Sequence, residues 1–165
     1  MTQDNQQRIA KATAELKEAF SDKLQVKFKK LHPDAMAPIR ATDGACGWDL
    51  TVLSSECYGS FVHYKTGIAA EIPSGYFGLI VPRSSCYKLG HWLTNSAGII
   101  DSDYRGEICF NFYRFVENGE QPFSYQPGER CGQLLILPCP AVEMVEVEEL
   151  SQTERGEGGF GSTGR

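Results

Sequence analysis

Near the start of the central part of this chain, apolar and polar residues alternate by twos. Leu24, Val26 and Phe28 are separated by Gln25 and Lys27, the pattern of a half-buried strand whose side chains point alternately to opposite faces. Further strands are predicted at Asp49–Leu53, Phe61–Glu71, Phe77–Val81, Glu107–Phe115, Cys131–Pro138 and Val142–Val147. Turn formers punctuate the gaps, as in Pro73-Ser-Gly75, Glu117-Asn-Gly119 and Gln126-Pro-Gly128. Many short strands with turn signals between them predict an all-β sandwich or barrel over residues 23–148. Residues 1–22 follow another period. Ile9, Ala12, Leu16, Ala19 and Phe20 recur at helical spacing, which predicts a short N-terminal helix docked on the body or on a neighbouring subunit. Asp4, Glu15 and Glu18 lie among its basic residues, which weakens a membrane or targeting role. Residues 149–165 show no core pattern and read as a flexible glycine-rich tail. No internal repeat is visible.

Composition narrows the function classes. A chain of 165 residues with 41% hydrophobic and 22% charged residues fits one soluble domain with an adequate core. Its net charge of -5 argues against general nucleic-acid binding, which relies on basic surface. A small anionic ligand remains within reach of a few local arginines. The six cysteines include no C-x-x-C pair, so they read as free thiols in a reducing cytoplasm rather than a disulfide framework or zinc site. No apolar run is long enough to span a membrane.

Candidate chemistry gathers in five segments. Arg155–Arg165 carries five glycines, Phe160, Ser162, Thr163 and two arginines. Arginine can clamp phosphate through two parallel bonds, and a lone Phe can stack on a base. The same stretch also reads as a plain flexible tail. In Asn95-Ser-Ala-Gly98-Ile-Ile-Asp101-Ser-Asp-Tyr104-Arg-Gly106, an apolar pair delivers Asp101 to a strand end. A carboxylate held there can orient and deprotonate water, and small residues let a ligand approach the backbone. The competing reading is a turn-stabilising Asp101/Asp103 pair beside a half-buried Tyr104. Pro82-Arg83-Ser84-Ser85 ends a strand with an arginine and two hydroxyls, suited to phosphate or to a solvated turn. Asp49 after Gly47-Trp48 is either a turn cap or a metal partner, and Gln133 in Gly128-Glu-Arg-Cys-Gly-Gln-Leu134 is either a phosphate donor or a sheet-edge residue.

Taken together, the segments G-A-x-G-W-D-L, P-R-S-S, N-x-x-G-I-I-D-S-D-Y-R-G, P-G-E-R-C-G-Q-L and R-G-E-G-G-F-G-S-T-G resemble motifs one to five of the homotrimeric dUTPases, in that family's order from residue 44 to the C-terminus. The third and fifth are the most specific. The resemblance implies a jelly-roll-like β-barrel assembled as a homotrimer with active sites at subunit interfaces. It implies Mg²⁺-assisted hydrolysis of dUTP to dUMP and pyrophosphate, which keeps uracil out of DNA and supplies dUMP for thymidylate synthesis. By motif, Asp101 corresponds to the base that orients the attacking water. Tyr104 corresponds to the residue against the deoxyribose, and Asn95 with the backbone to Gly98 to the readers of uracil. Arg83, Ser84, Ser85 and Gln133 correspond to phosphate-facing residues. Phe160 corresponds to a cover for the base, and Arg155, Gly161, Ser162 and Thr163 to a grip on the outer phosphates. Asp49 corresponds to support for the metal-water shell or the adjoining network.

Three positions depart from the commonest family pattern: Ser85 stands where Gly is usual, Cys131 where an aliphatic residue is usual, and Trp48 where a smaller ring is usual. Two alternatives share the scaffold. A dCTP deaminase performs base chemistry with a Glu in the third-motif region, where this chain carries Asp101 and Tyr104. A nucleotide-sensing regulatory protein would keep binding without turnover, and fold alone never proves activity.

Overall fold

In the computed structural model, residues 23–114 and 124–159 are described. The expected N-terminal helix, the Glu117–Gly119 turn and Phe160–Thr163 lie outside them. The described residues form ten strands: β1 Lys27–Lys30, β2 Trp48–Thr51, β3 Ser54–Tyr58, β4 Phe61–Lys65, β5 Ile68–Glu71, β6 Tyr76–Pro82, β7 His91–Leu93, β8 Gly98–Ile100, β9 Cys109–Arg114 and β10 Arg130–Pro138. A 3-10 helix, Ser84–Leu89, links β6 to β7.

All the strand pairs are antiparallel. One four-stranded sheet runs β2-β10-β6-β8, a second runs β3-β4-β9-β7, and β1 pairs with β5 in a two-stranded ribbon. The core draws on both larger sheets. Leu50, Ile80, Ile100, Cys131 and Leu134 come from the first, and Val62, Tyr64, Leu93, Phe110 and Phe112 from the second. This is the all-β fold expected from the strand pattern, of the jelly-roll type that the family resemblance implies. Cys131 is fully buried, and burial pushes its thiol up to about 12. It acts as a small neutral hydrophobe in the aliphatic place. The six cysteines are free thiols.

The turns carry their predicted chemistry. Gly75 and Gly128 take positive φ, with Tyr76 N–H bonded to the Pro73 carbonyl and Glu129 N–H to that of Gln126. The expected run Phe61–Glu71 is two strands instead of one. Gly67 breaks it at φ +67°, and a Cβ there would lie 2.7 Å from that of Ala35. The first strand lies a few residues beyond Leu24–Phe28. β3 and β7 have no counterpart in the expected set: β3 is exposed at all five positions and has no apolar alternation to reveal it. Val142–Val147 forms no strand. Val142, Met144, Val145 and Val147 are 55–93% exposed, because nothing in the described chain pairs with this arm.

Candidate active site

Asn95, Gly98, Asp101 and Tyr104 line one cavity of about 260 Å³, together with Ile80, Glu107 and Cys109. Local chemistry builds it. Before β8 the chain turns tightly, with Ser96 at φ +60° and its N–H on the Leu93 carbonyl. Positive φ in a residue with a Cβ is a strained conformation that recurs at ligand sites. A Cβ on Gly98 would lie 2.5 Å from Ile80 Cγ1 and 3.1 Å from Asn95 Nδ2. Only glycine lets those two side chains close on the strand. β8 then delivers Asp101, whose carbonyl accepts the Tyr104 N–H at 3.1 Å. The Tyr104 hydroxyl donates to the Glu107 carbonyl at 3.0 Å, and the ring lies so close over Gly106 that a Cβ there would meet Oη at 2.2 Å. Arg105 Nη1 braces the turn through the carbonyls of Ser102 and Tyr104.

Glu107 and Cys109 were not among the sequence candidates. The Glu107 carboxylate accepts the Gly67 N–H at 2.6 Å, pinning the turn to the β4–β5 bend. Burial pushes the Cys109 thiol up to about 11, so it forms a neutral wall.

A second cluster surrounds Asp49, which is 1% exposed. Its Oδ2 accepts from Arg130 Nη1 at 2.9 Å and its Oδ1 from Gln133 Nε2 at 2.9 Å, while Arg83 Nε lies 3.3 Å from Oδ1. Two guanidinium charges thus face one carboxylate, which leaves the cluster positive and suited to an anion. Arg130 was also missed as a site residue, and a bulge explains why. Arg130 lies opposite Thr51 and Gln133 opposite Asp49, with Cys131 the extra residue in β10. In a regular strand, residues three apart point to opposite faces. The bulge puts both on one face. Gly132 was the available signal, since glycine inside a strand often marks a bulge. Gln133 is not at a sheet edge, because β10 lies between β2 and β6.

Ser84 and Ser85 open the 3-10 helix, so their N–H groups have no partner within it. Arg155 donates from Nε to the Gly158 carbonyl at 2.8 Å in an exposed turn of the tail. It joins neither cluster.

The two clusters stand apart. Ile100 pairs with Gly78 and Ile80 with Gly98, which sets Asp101 beside Phe77 at one end of β6. Arg83 follows the other end, six residues on, or about 20 Å at strand rise. Its side chain also turns to Asp49 on β2, away from β8. Within one chain, Asp101 and Arg83 do not converge.

A family model described as dUTPase matches residues 34–164. The chain is 42% identical over 149 residues to a deoxyuridine 5'-triphosphate nucleotidohydrolase of Escherichia phage T5, covering 84% of this chain and 98% of that protein. It is 44% identical over 140 residues to one from Hydrogenobaculum sp., covering 82% and 95%. Among solved structures, a mutant dUTPase of Staphylococcus bacteriophage 80alpha with dUpNHpp superposes with a TM-score of 0.74 at 27% identity, covering 86% of this chain and 99% of that one.

Proposed function

This chain belongs to the dUTPase family, and from that premise we propose that it hydrolyses dUTP to dUMP and pyrophosphate at sites shared between the copies of a homotrimer. The observation that carries the proposal is the convergence of Asn95, Gly98, Asp101 and Tyr104 on one small cavity. Its volume of about 260 Å³ lies just below the roughly 300–1,000 Å³ of pockets for drug-sized ligands and suits a base with its sugar. Asn95 and the backbone to Gly98 read the uracil edge, and Tyr104 packs against the deoxyribose. Asp101 accepts a proton from water as its oxygen bonds to the α-phosphorus. The bond from that phosphorus to the bridging oxygen breaks, and pyrophosphate leaves. Such chemistry is catalysed mainly by positioning and charge stabilisation.

The outer phosphates need positive partners that Asp101's own chain holds about 20 Å away. Arg83, Ser84, Ser85 and Gln133 therefore act from a neighbouring copy. Arg130 and Asp49 hold Arg83 and Gln133 in place. The exposed arm Val142–Val147 supports the same assembly, since its apolar side chains lack cover in the described chain. On this reading residues 23–148 form the body and 1–22 an extension. Residues 149–165 close over the site, with Phe160 on the base and Arg155, Gly161, Ser162 and Thr163 on the outer phosphates.

The donor set fits Mg²⁺ carried on the substrate. Among the described residues no group of three His, Cys, Asp or Glu gathers to hold a metal, and both Asp49 oxygens already accept hydrogen bonds. Mg²⁺ commonly keeps its waters and binds through phosphates, where it neutralises charge. Asp49 accordingly serves the network that orients Arg83 and Gln133.

The test is pyrophosphate release by the purified chain with Mg²⁺, given dUTP, dTTP, dCTP or UTP in parallel. Release from dUTP alone, lost on deleting residues 155–165, is expected. Discrimination is expected to be sharper against dCTP. Its reversed hydrogen-bond polarity leaves buried groups unpaired, worth about 10⁴-fold. An extra methyl costs only about 1–3 kcal/mol of overpacking. Ammonia release from dCTP would point instead to deamination.

A further inference from the structure

One buried titratable side chain has no part in this chemistry. His91 is 5% exposed and opens β7 directly after Gly90, the left-handed cap of the 3-10 helix. Its Nδ1 donates to the carbonyl of Leu89, the last helical residue, at 2.8 Å. A carbonyl only accepts, so Nδ1 carries the proton and the neutral ring's Nε2 accepts. The Tyr64 hydroxyl donates to it at 3.1 Å, and Tyr64 Oη in turn accepts the Tyr125 N–H at 3.1 Å. Phe112 and Tyr125 pack edge-on against the imidazole at 5.7 and 5.5 Å. The ring is therefore fixed on both nitrogens and by its neighbours.

The helix it touches needs such an anchor. Ser84–Leu89 has no fully buried residue, and of its apolar side chains only the half-buried Leu89 packs on the core; a single short helix is unstable alone. It is tied at its ends. Arg83 meets Asp49 at 3.3 Å before the first turn, while the Gly90 N–H and His91 bond the last carbonyls. We propose that His91 is a positioning residue: by holding the C-terminal end of this helix on the core, it fixes Arg83, Ser84 and Ser85 for the outer phosphates of the substrate. The inference rests on the hydrolysis proposed above. The ring lines no part of the β8 cavity, and its polar partners are Tyr64 and Leu89. The cavity at β8 is built by the turn that leaves the far end of β7 at Leu93, and β7 stays paired with β9 without the imidazole, so the base and sugar should feel its loss little.

The test compares two ligands on the full chain by calorimetry: dUMP, which lacks the outer phosphates, and the non-hydrolysable analogue dUpNHpp. His91→Gln keeps an acceptor for Tyr64 but loses the tie to Leu89. It is expected to weaken dUpNHpp about tenfold, the scale of one orphaned buried hydrogen bond, and to leave dUMP within about twofold. His91→Asn keeps a donor for the Leu89 carbonyl and should restore most of the analogue affinity. Where the glutamine variant does not fold, Tyr64→Phe, which releases the ring's other nitrogen, is expected to show the same selective loss. Equal weakening of both ligands, or no loss of dUpNHpp, overturns the positioning role. Wild-type protein that releases no pyrophosphate from dUTP overturns the hydrolysis reading, a failure separate from the variants.

Discussion

Asp101 gains its task from where β8 stops. It lines the cavity with Tyr104 and Asn95, and its proposed role is to orient and deprotonate one water. Asp101→Asn keeps the shape and removes the base. General-base catalysis is worth about 10²–10⁴-fold, so pyrophosphate release should fall by that factor while dUpNHpp still binds. His91 gives a second expectation at this scale. Burial holds its pKa below the usual value, with a small further lowering from Arg114 and an opposing rise from the Leu89 carbonyl. Tyr64 and Tyr125 face the ring and stay neutral, since burial pushes both phenols up, Tyr125 to about 12. In the unfolded chain His91 takes a proton at higher pH than in the fold. The stability it contributes is therefore present above about pH 6.5 and lost as pH falls below it. Urea melts across that window should show a declining stability, less steep in His91→Gln.

At the scale of the element, the bulge at Cys131 does more than bend β10. It brings Arg130 and Gln133 to one carboxylate, and Gly132 beside it allows the two sheets to approach. A Cβ at Gly132 would lie 2.1 Å from the Phe110 ring. Gly132→Ala is expected to cost about 1–3 kcal/mol, a fall in melting temperature of roughly 2–4 °C for each kcal/mol. An unchanged melting temperature would show that the ring moves freely.

Elements also mark where the sequence could be read. Strands such as β4, β6, β9 and β10 announced themselves as short runs rich in apolar residues between turn formers, and Gly75 and Gly128 marked turns. β3 stayed hidden because all its residues are exposed. Asn95, Gly98, Asp101 and Tyr104 of the cavity were legible because they fall within one short segment. Arg130, Glu107 and His91 were not, since their partners Asp49, Gly67 and Tyr64 are distant in the chain and meet only through strand register. The apolar residues of Val142–Val147 suit a strand, but a strand needs a neighbour, and the described chain supplies none.

At the scale of the molecule, the structure divides one proposed site between two places. Asp101 and Arg83 stand at opposite ends of β6, so a single chain cannot present both to one triphosphate. A homotrimer should show a mass of about 55 kDa by light scattering, three times the 18.3 kDa chain. A monomer mass at micromolar concentration would contradict the assembly.

Sharing between copies is the central claim, and mixed oligomers test it most directly. Asp101→Asn and Arg83→Ala chains, each inactive alone, are unfolded together, refolded in equal amounts and assayed for pyrophosphate release from dUTP. Random assembly gives about one quarter of the sites both an intact Asp101 and an intact Arg83 from different copies, so about a quarter of wild-type activity should return. No recovery, from mixtures shown to contain both chains in one oligomer, would mean that a single chain supplies both residues and would contradict the account.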